Sequence, residues 1–336
     1  MPATSIQHPP TVSSLARDLA PEIATLPRLT ALLSGFLTHA DDDVAGFEAI
    51  TRSLLDDAPL TEWVLRQANS GLYHQKRPLT TVAEAGVVLG LDALKRLTFA
   101  AGSQALLHVD PFPYPGTRRS GWLHGMAVGC AAAELATILG PRSPLTPESA
   151  RIAGLVHDLG KRLVAPRWPR DLAPPHGIES EWPVVEFDHA LASAAVAQTW
   201  GLPAPIVESV AAHHDAAPVA GAALLAAANT LMNHWQVGPT VYPQPRDDAP
   251  YGRLAALLGV LNPDTADLEQ WVISMIPVVQ GLDEMLRWSD RPAAPKLTST
   301  STPASASAPT AVGASRRTRS RRRDKPTRGR ENRRRR

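Results

Sequence analysis

The sequence predicts an all-α protein: two packed helical bundles followed by a disordered, basic C-terminal tail. Apolar residues recur at spacings of three and four through the first 290 positions, the period of helices with one buried face. Hydrophobic residues make up 44% of the chain and aromatics only 5%, and the Ala/Leu runs suit helices packed closely through small side chains. The N-terminal half shows no convincing strand alternation.

Behind a proline-bounded lead, residues 12–20 predict a short helix that Pro21 interrupts. Leu26-Pro27 opens the next, with Leu29, Leu32, Leu33, Phe36 and Leu37 along one side. The Asp41-Asp42-Asp43 cluster suits the N-terminal cap of a helix over 44–55. Pro59 fits the first turn of a helix carrying Leu60, Trp63, Val64 and Ala68, which Asn69-Ser70-Gly71 stops. Thr81-Val82-Ala83-Glu84 has capping-box form and starts a helix that Gly90 ends, and residues 91–107 form another. Between Asp110 and Gly116, Pro111, Pro113, Pro115 and Gly116 forbid a helix, so this stretch reads as a loop between the bundles.

Residues 122–139 then predict a long helix with His124, Ala127, Ala131, Leu135 and Ile138 on one face. Glu148 leads into the next helix, and the proline-rich stretch 168–182 reads as irregular. Asp188 fits as the cap of a helix from His189, ended by Gly201-Leu202-Pro203. Residues 205–214, 221–235, 251–260 and 263–288 add further helices, with Pro277 breaking or kinking the last. The resulting division is a lead (1–20), an N-terminal bundle (21–110), a second bundle (117–240), a helical extension (241–290) and a Ser/Ala/Pro linker with its Arg-rich tail (291–336). There is no internal repeat of solenoid type.

The single cysteine, Cys130, excludes an internal disulfide framework and a cysteine-rich zinc site, and a reducing cytoplasm is the simple expectation. The N-terminus lacks the basic start and apolar core of a signal peptide. No stretch reads as the roughly 18 apolar residues of a membrane span. The net charge of +2 hides a split: residues 291–336 hold 15 of the 34 basic residues and two of the 32 acids, leaving 19 and 30 in the rest. The body is thus acidic and the tail basic. Rich in Pro, Ala, Ser and Thr and then in Arg, the tail has little to bury and is expected to be disordered.

Residues 152–163 read as one short helix with two usable faces. Ile152, Leu155, Val156, Leu159 and Leu163 form an apolar stripe. Opposite it lie Gly154, which would let another backbone come close, and His157, Asp158 and Lys161. Further histidines stand at His124, His189 and the pair His213-His214. Imidazoles with a carboxylate suit iron, zinc or manganese, and water on such an ion is acidic enough to attack phosphorus. Lys161 would contact a phosphate oxygen.

In order and approximate spacing, His124, His157-Asp158, Lys161, His189 and His213-His214 resemble the signature of the HD phosphohydrolase superfamily. They also match its HD-GYP branch, which degrades cyclic di-GMP, but no Gly-Tyr-Pro motif follows Asp215. The stretch DAPLTEWVLRQANSGLYHQKRPLTTVAEAGVVLGLDALKRL (57–97) closely resembles the HDOD family, the HD-related output domain of bacterial signalling proteins. Its marks are the acidic-Pro helix leading into Ala68-Asn69-Ser70, the Pro78-Leu79 turn and the helix ending Leu89-Gly90-Leu91. This resemblance runs from about residue 26 to 235. It implies an HD-like second bundle, a metal-type ligand set at the six histidine and aspartate positions, and partners among signalling proteins of cyclic-nucleotide or two-component pathways. The final aspartate of an active HD site is expected in ALLAAANTLMNHW, where this chain has Asn229. A neutral amide cannot supply an anionic ligand; Asp215, directly after His214, is the nearest substitute.

Plainer readings stand beside these. His124 fits a core histidine, His189 a local feature of a helix start, and His213-His214 a helix end favoured by the dipole. Three functions therefore remain open: a catalytically silent domain working through protein contacts, a metal or ligand site without turnover, and a phosphohydrolase acting on a nucleotide or cyclic dinucleotide. Residues 316–336 add a sequence-blind contact to nucleic acid or another polyanion, or a merely solvated tail.

Overall fold

A computed structural model describes residues 10–26, 37, 43–56, 58–69, 76–103, 114, 118–173, 175, 177–237 and 249–289. Most of the helix expected after Leu26, the Asp41-Asp42 part of the cap cluster, Ser70-Gly71, the 110–116 loop apart from Tyr114, and the 291–336 tail lie outside them. Among the described residues every regular element is helical.

The chain opens with α1 (Val12–Asp18) and α2 (Ala20–Ile23). Thr11 caps α1 through a capping box with Ser14. Pro21 does not end a helix here but sits in the first turn of α2, where its missing N–H costs nothing. The N-terminal bundle follows with α3 (Asp43–Leu55), α4 (Ala58–Ala68), α5 (Val82–Leu89) and α6 (Leu91–Ser103). Thr81 caps α5 by accepting from the Glu84 N–H at 3.1 Å. Glu84 accepts from the Thr80 N–H at 2.8 Å, one residue earlier than the capping-box pattern places it. Asn69 holds the α4 stop to the following turn, exchanging both hydrogen bonds with the Leu79 backbone at 2.7 and 2.9 Å.

The second bundle contains α7 (Arg118–Leu139), α8 (Pro147–Val156), α9 (Lys161–Val164), α10 (Trp182–Val185), α11 (His189–Thr199), α12 (Ala204–Ala211) and α13 (Ala220–His234). Then come α14 (Ala249–Leu261) and α15 (Thr265–Ser289), the latter continuing through Pro277. Packing sets the layout. Helices α1 and α2 lie against α11, while α14 packs on α13 and α15 on α7. The Trp271 indole of α15 donates to the Ala131 carbonyl at 2.8 Å inside the core. Helix α6 joins the bundles: Lys95 pairs with Glu148 at 3.2 Å, Trp122 donates to Ser103 at 2.9 Å, and Arg151 lies over the Phe99 ring.

Contrary to the sequence expectation, one helix in the centre of the second bundle, Ser120–Arg142, is long and apolar enough to cross a membrane by length and composition. Its apolar surface is spent inside the protein, with 72% of the apolar window buried. It crosses α8 at two glycines. A Cβ on Gly154 would collide with the Gly129 backbone, and one on Gly129 would stand 2.5 Å from the Arg151 carbonyl oxygen. This is the close backbone approach that Gly154 suggested.

A second difference bears on function. Residues 152–163 are not one helix: α8 ends at Val156, and α9 begins only at Lys161. The connecting turns close over three residues, from the Leu159 N–H to Val156 and from the Lys161 N–H to Asp158. Gly160 is the cause. Its N–H donates to Ser193 Oγ at 2.7 Å, and a Cβ there would stand 2.5 Å from the Ser193 nitrogen. The docking of α11 breaks the helix, and His157-Asp158 sits in the break.

Candidate metal centre

Each histidine of the set reaches one region from a different element. His124 comes from the second turn of α7, His157-Asp158 from the break after α8, His189 from the first residue of α11, and His213-His214 from the turn after α12. Asp188 secures the start of α11 by accepting from the Leu191 N–H at 2.8 Å. His124, His157, His189 and His213 are almost wholly buried.

Their ring nitrogens are sorted. Nδ1 of His124 faces the Val237 carbonyl at 3.0 Å, Nδ1 of His157 the Gly154 carbonyl at 2.7 Å, and Nδ1 of His213 the Val210 carbonyl at 2.7 Å. A carbonyl only accepts, so each Nδ1 carries the proton. Burial lowers the pKa of all three, that of His157 to about 4, so the rings are neutral near pH 7 and each Nε2 is a bare lone pair. His214 is held well below its usual value by burial and by the neighbouring His213 and His189.

These nitrogens surround Asp158. Its Oδ2 lies 3.5 Å from His157 Nε2 and 3.9 Å from His124 Nε2, and its Oδ1 lies 3.4 Å from His189 Nε2. With the His124 and His157 rings neutral, their contacts to Asp158 are not ion pairs. Burial alone would raise the carboxyl pKa, but the positive charge that can gather around it, from the imidazoles when they are protonated and from Lys161, outweighs burial and holds the group well below the usual range. Lys161 donates to Oδ2 at 2.5 Å.

The ligand atoms fall into two groups, His124-His157-Asp158 and His189-His213-His214, each with its atoms within 4.8 Å of one another. Either group could hold a metal ion. Metal–nitrogen bonds of about 2.0–2.1 Å place neighbouring ligand atoms roughly 3–3.5 Å apart. The 3.0 Å between His189 Nε2 and His214 Nε2 and the 3.4 and 3.5 Å distances to Asp158 already lie there. On the open side stand Lys161, half-buried His214 and exposed Arg253, whose guanidinium reaches the His214 carbonyl.

Asn229 is buried beside His124, where a last acidic ligand was expected, and its Oδ1 already accepts from Asn233 Nδ2 at 2.9 Å. Asp215 does not replace it: its side chain is exposed and belongs to neither ligand group. Glu181 carries no signal in the sequence. This buried carboxylate from the irregular proline-rich stretch accepts from His189 Nδ1 at 2.8 Å and from the His189 N–H at 2.7 Å. Tyr114 was likewise unmarked, and its hydroxyl donates to Glu181 Oε1 at 2.8 Å. Both residues lie outside any periodic pattern, so only the folded arrangement identifies them.

Comparison with known proteins bears on the family and the fold. The model of the HDOD domain matches residues 26–216. An HDOD domain protein of unknown function from Geobacter sulfurreducens superposes with a TM-score of 0.62 at 22% identity, covering 82% of this chain and 97% of that one. A candidate phosphohydrolase from Shewanella amazonensis SB2B gives 0.55 at 24% identity, covering 80% and 97%. An uncharacterized protein of Treponema pallidum (strain Nichols) is 24% identical over 214 residues, 60% of this chain and only 40% of that protein's length. At these identities the structural likenesses establish the fold.

Proposed function

This chain belongs to the HDOD domain family, and we propose that it is a signalling protein acting through protein contacts, with a metal ion held in its second bundle and no efficient turnover. One observation carries the metal: His157 Nε2, His213 Nε2 and Asp158 Oδ1 are buried, face one another's neighbourhood and have no hydrogen-bond partner. Each unsatisfied group costs about 1–3 kcal/mol. All three are acceptors, so a single kind of guest, a cation, satisfies them together. Mixed imidazole and carboxylate donors suit iron, manganese or zinc.

When bound, such an ion makes a coordinated water acidic enough to ionise near neutral pH. The chain's own residues do the rest. The backbone carbonyls of Gly154, Val210 and Val237 fix which nitrogen each ring presents, Asp158 supplies negative charge between the two groups, and Lys161 offsets part of it at the open side. Asn229 contributes no charge and its oxygen is engaged, which leaves the His124-His157-Asp158 group with one carboxylate shared with an ammonium. That deficit supports regulation over hydrolysis.

Elemental analysis of the purified full chain, grown with iron, manganese and zinc in turn, tests the reading. Stoichiometric metal that is lost in His157→Ala is expected; protein that stays metal-free under all three supplies sinks it. Lys161 and Arg253 at the open side support a second reading, a phosphohydrolase. It requires hydrolysis of a nucleotide or cyclic dinucleotide by the manganese- or iron-loaded protein, increased in Asn229→Asp and lost in His157→Ala. The charge split supports a polyanion contact through residues 316–336, which predicts that deleting them abolishes retention on DNA or RNA at low salt.

A further inference from the structure

We infer that Glu181 is a positioning residue for the candidate metal centre: it fixes the His189 proton on Nδ1 and turns the Nε2 lone pair inward, and Tyr114 ties this orientation to the connector between the bundles. The effect on metal affinity rests on the metal reading above; the proton placement does not.

Glu181 is fully buried and clamps His189 twice, through the ring at 2.8 Å and through the backbone N–H at 2.7 Å. The second bond fixes the backbone at the first residue of α11, so the ring and its mounting are set by one carboxylate. A carboxylate only accepts, so Nδ1 must be the protonated nitrogen. Nε2 is then left to face Asp158 Oδ1 at 3.4 Å and His214 Nε2 at 3.0 Å. The other sorted histidines of the set lean on neutral backbone carbonyls. His189 alone among them leans on a carboxylate. In metal sites, carboxylates placed in this way raise ligand basicity, and removing one costs about 10–100-fold in affinity.

Tyr114 extends the clamp. It lies between the end of α6 and the start of α7, is 6% exposed, and donates its hydroxyl to Glu181 Oε1 at 2.8 Å. Its ring meets His189 edge-on at 6.4 Å and lies under the Lys161 ammonium at 5.4 Å. One connector residue thus touches the orienting carboxylate, the ligand it orients and the lysine on Asp158. A shift of the connector cannot leave that ligand end undisturbed.

The test begins with nitrogen–proton NMR of the metal-free full chain labelled at histidine, the His189 signals being assigned by their loss in His189→Gln. The expected spectrum shows His189 protonated at Nδ1, with the proton moving to Nε2 in Glu181→Ala. Cobalt(II) titration against a competing chelator should then show an affinity about 10–100-fold lower in Glu181→Gln. Tyr114→Phe, which keeps the carboxylate and should fold even if the Glu181 variants do not, should retain the Nδ1 proton with a few-fold loss of affinity. A wild-type His189 lacking the Nδ1 proton, or wild-type cobalt affinity in both Glu181→Gln and Tyr114→Phe, overturns the inference. If the wild-type chain takes no cobalt, the metal reading fails by itself, and the proton position in the wild-type and Tyr114→Phe spectra still decides the role of Glu181.

Discussion

In the N-terminal bundle, Gln67 and Thr98 are fully buried and their side-chain polar atoms have no hydrogen-bond partner. Both are groups that donate as well as accept, and neither belongs to a cluster of ligand-type side chains. The second bundle also buries partnerless polar atoms, the Trp200 indole nitrogen among them, but three of these, His157 Nε2, His213 Nε2 and Asp158 Oδ1, are acceptors brought to one place from two segments, the break after α8 and the turn after α12. The difference teaches that an unsatisfied buried atom is not by itself a site. Convergence of atoms with the same need is what calls for a ligand. Such convergence is also a local liability for the metal-free fold, and four experiments probe whether the second bundle is the more demanding half.

The largest contrast is expected at glycines. Gly154→Ala drives a methyl into the Gly129 backbone, which cannot move without separating α7 from α8. We expect a loss of about 4 kcal/mol in urea unfolding, or no folded protein. Gly86→Ala in α5 meets the end of the Phe47 side chain, which can turn aside, and should cost only about 1 kcal/mol. Equal losses would break the contrast.

Acid comes next. Burial puts His157 at about 4 in the folded chain against 6.5 as a free side chain. The unfolded chain therefore binds the proton first, so this contribution is complete above pH 6.5 and is lost as the pH falls toward 4. For His157 alone the span is about 3 kcal/mol, and the lowered His124, His213 and His214 act in the same direction. Helices α3 to α6 carry no histidine among their described residues. Amide exchange in metal-free protein at pH 5 should thus accelerate in α8, α11 and α12 before α4 and α6; uniform acceleration would contradict this.

Divalent metal should reverse part of that loss. An ion at 100 times its dissociation constant stabilises the folded chain by about 2.7 kcal/mol. The gain should appear in the unfolding midpoint of the wild type and vanish in His213→Ala. The smallest effect is at the cap of α5, where Thr81→Ala should cost about 1 kcal/mol and leave metal affinity unchanged. A change in affinity there would show that the bundles are coupled more tightly than α6 and Tyr114 imply.

The sequence by itself determined the helical class, most helix starts and the set of histidines. Thr81, Thr146 and Asp188 cap through bonds to the next few residues, and the apolar period records which side of each helix is buried. Caps and apolar periods are local relations, and sequence expresses them directly. Asn229 was marked only by the family resemblance, as an amide where that pattern expects an aspartate.

The tertiary structure decided the rest. It broke residues 152–163 at Gly160, because α11 takes the Gly160 N–H and leaves no room for a side chain. It moved Pro21 from a helix end to a helix beginning and buried an apolar helix long enough for a membrane inside a bundle. It also brought Glu181 and Tyr114 to His189 from stretches with no period to read. A proton's place on an imidazole depends on which acceptor stands a hydrogen bond away, and that neighbour is set by helix packing between residues distant in the chain.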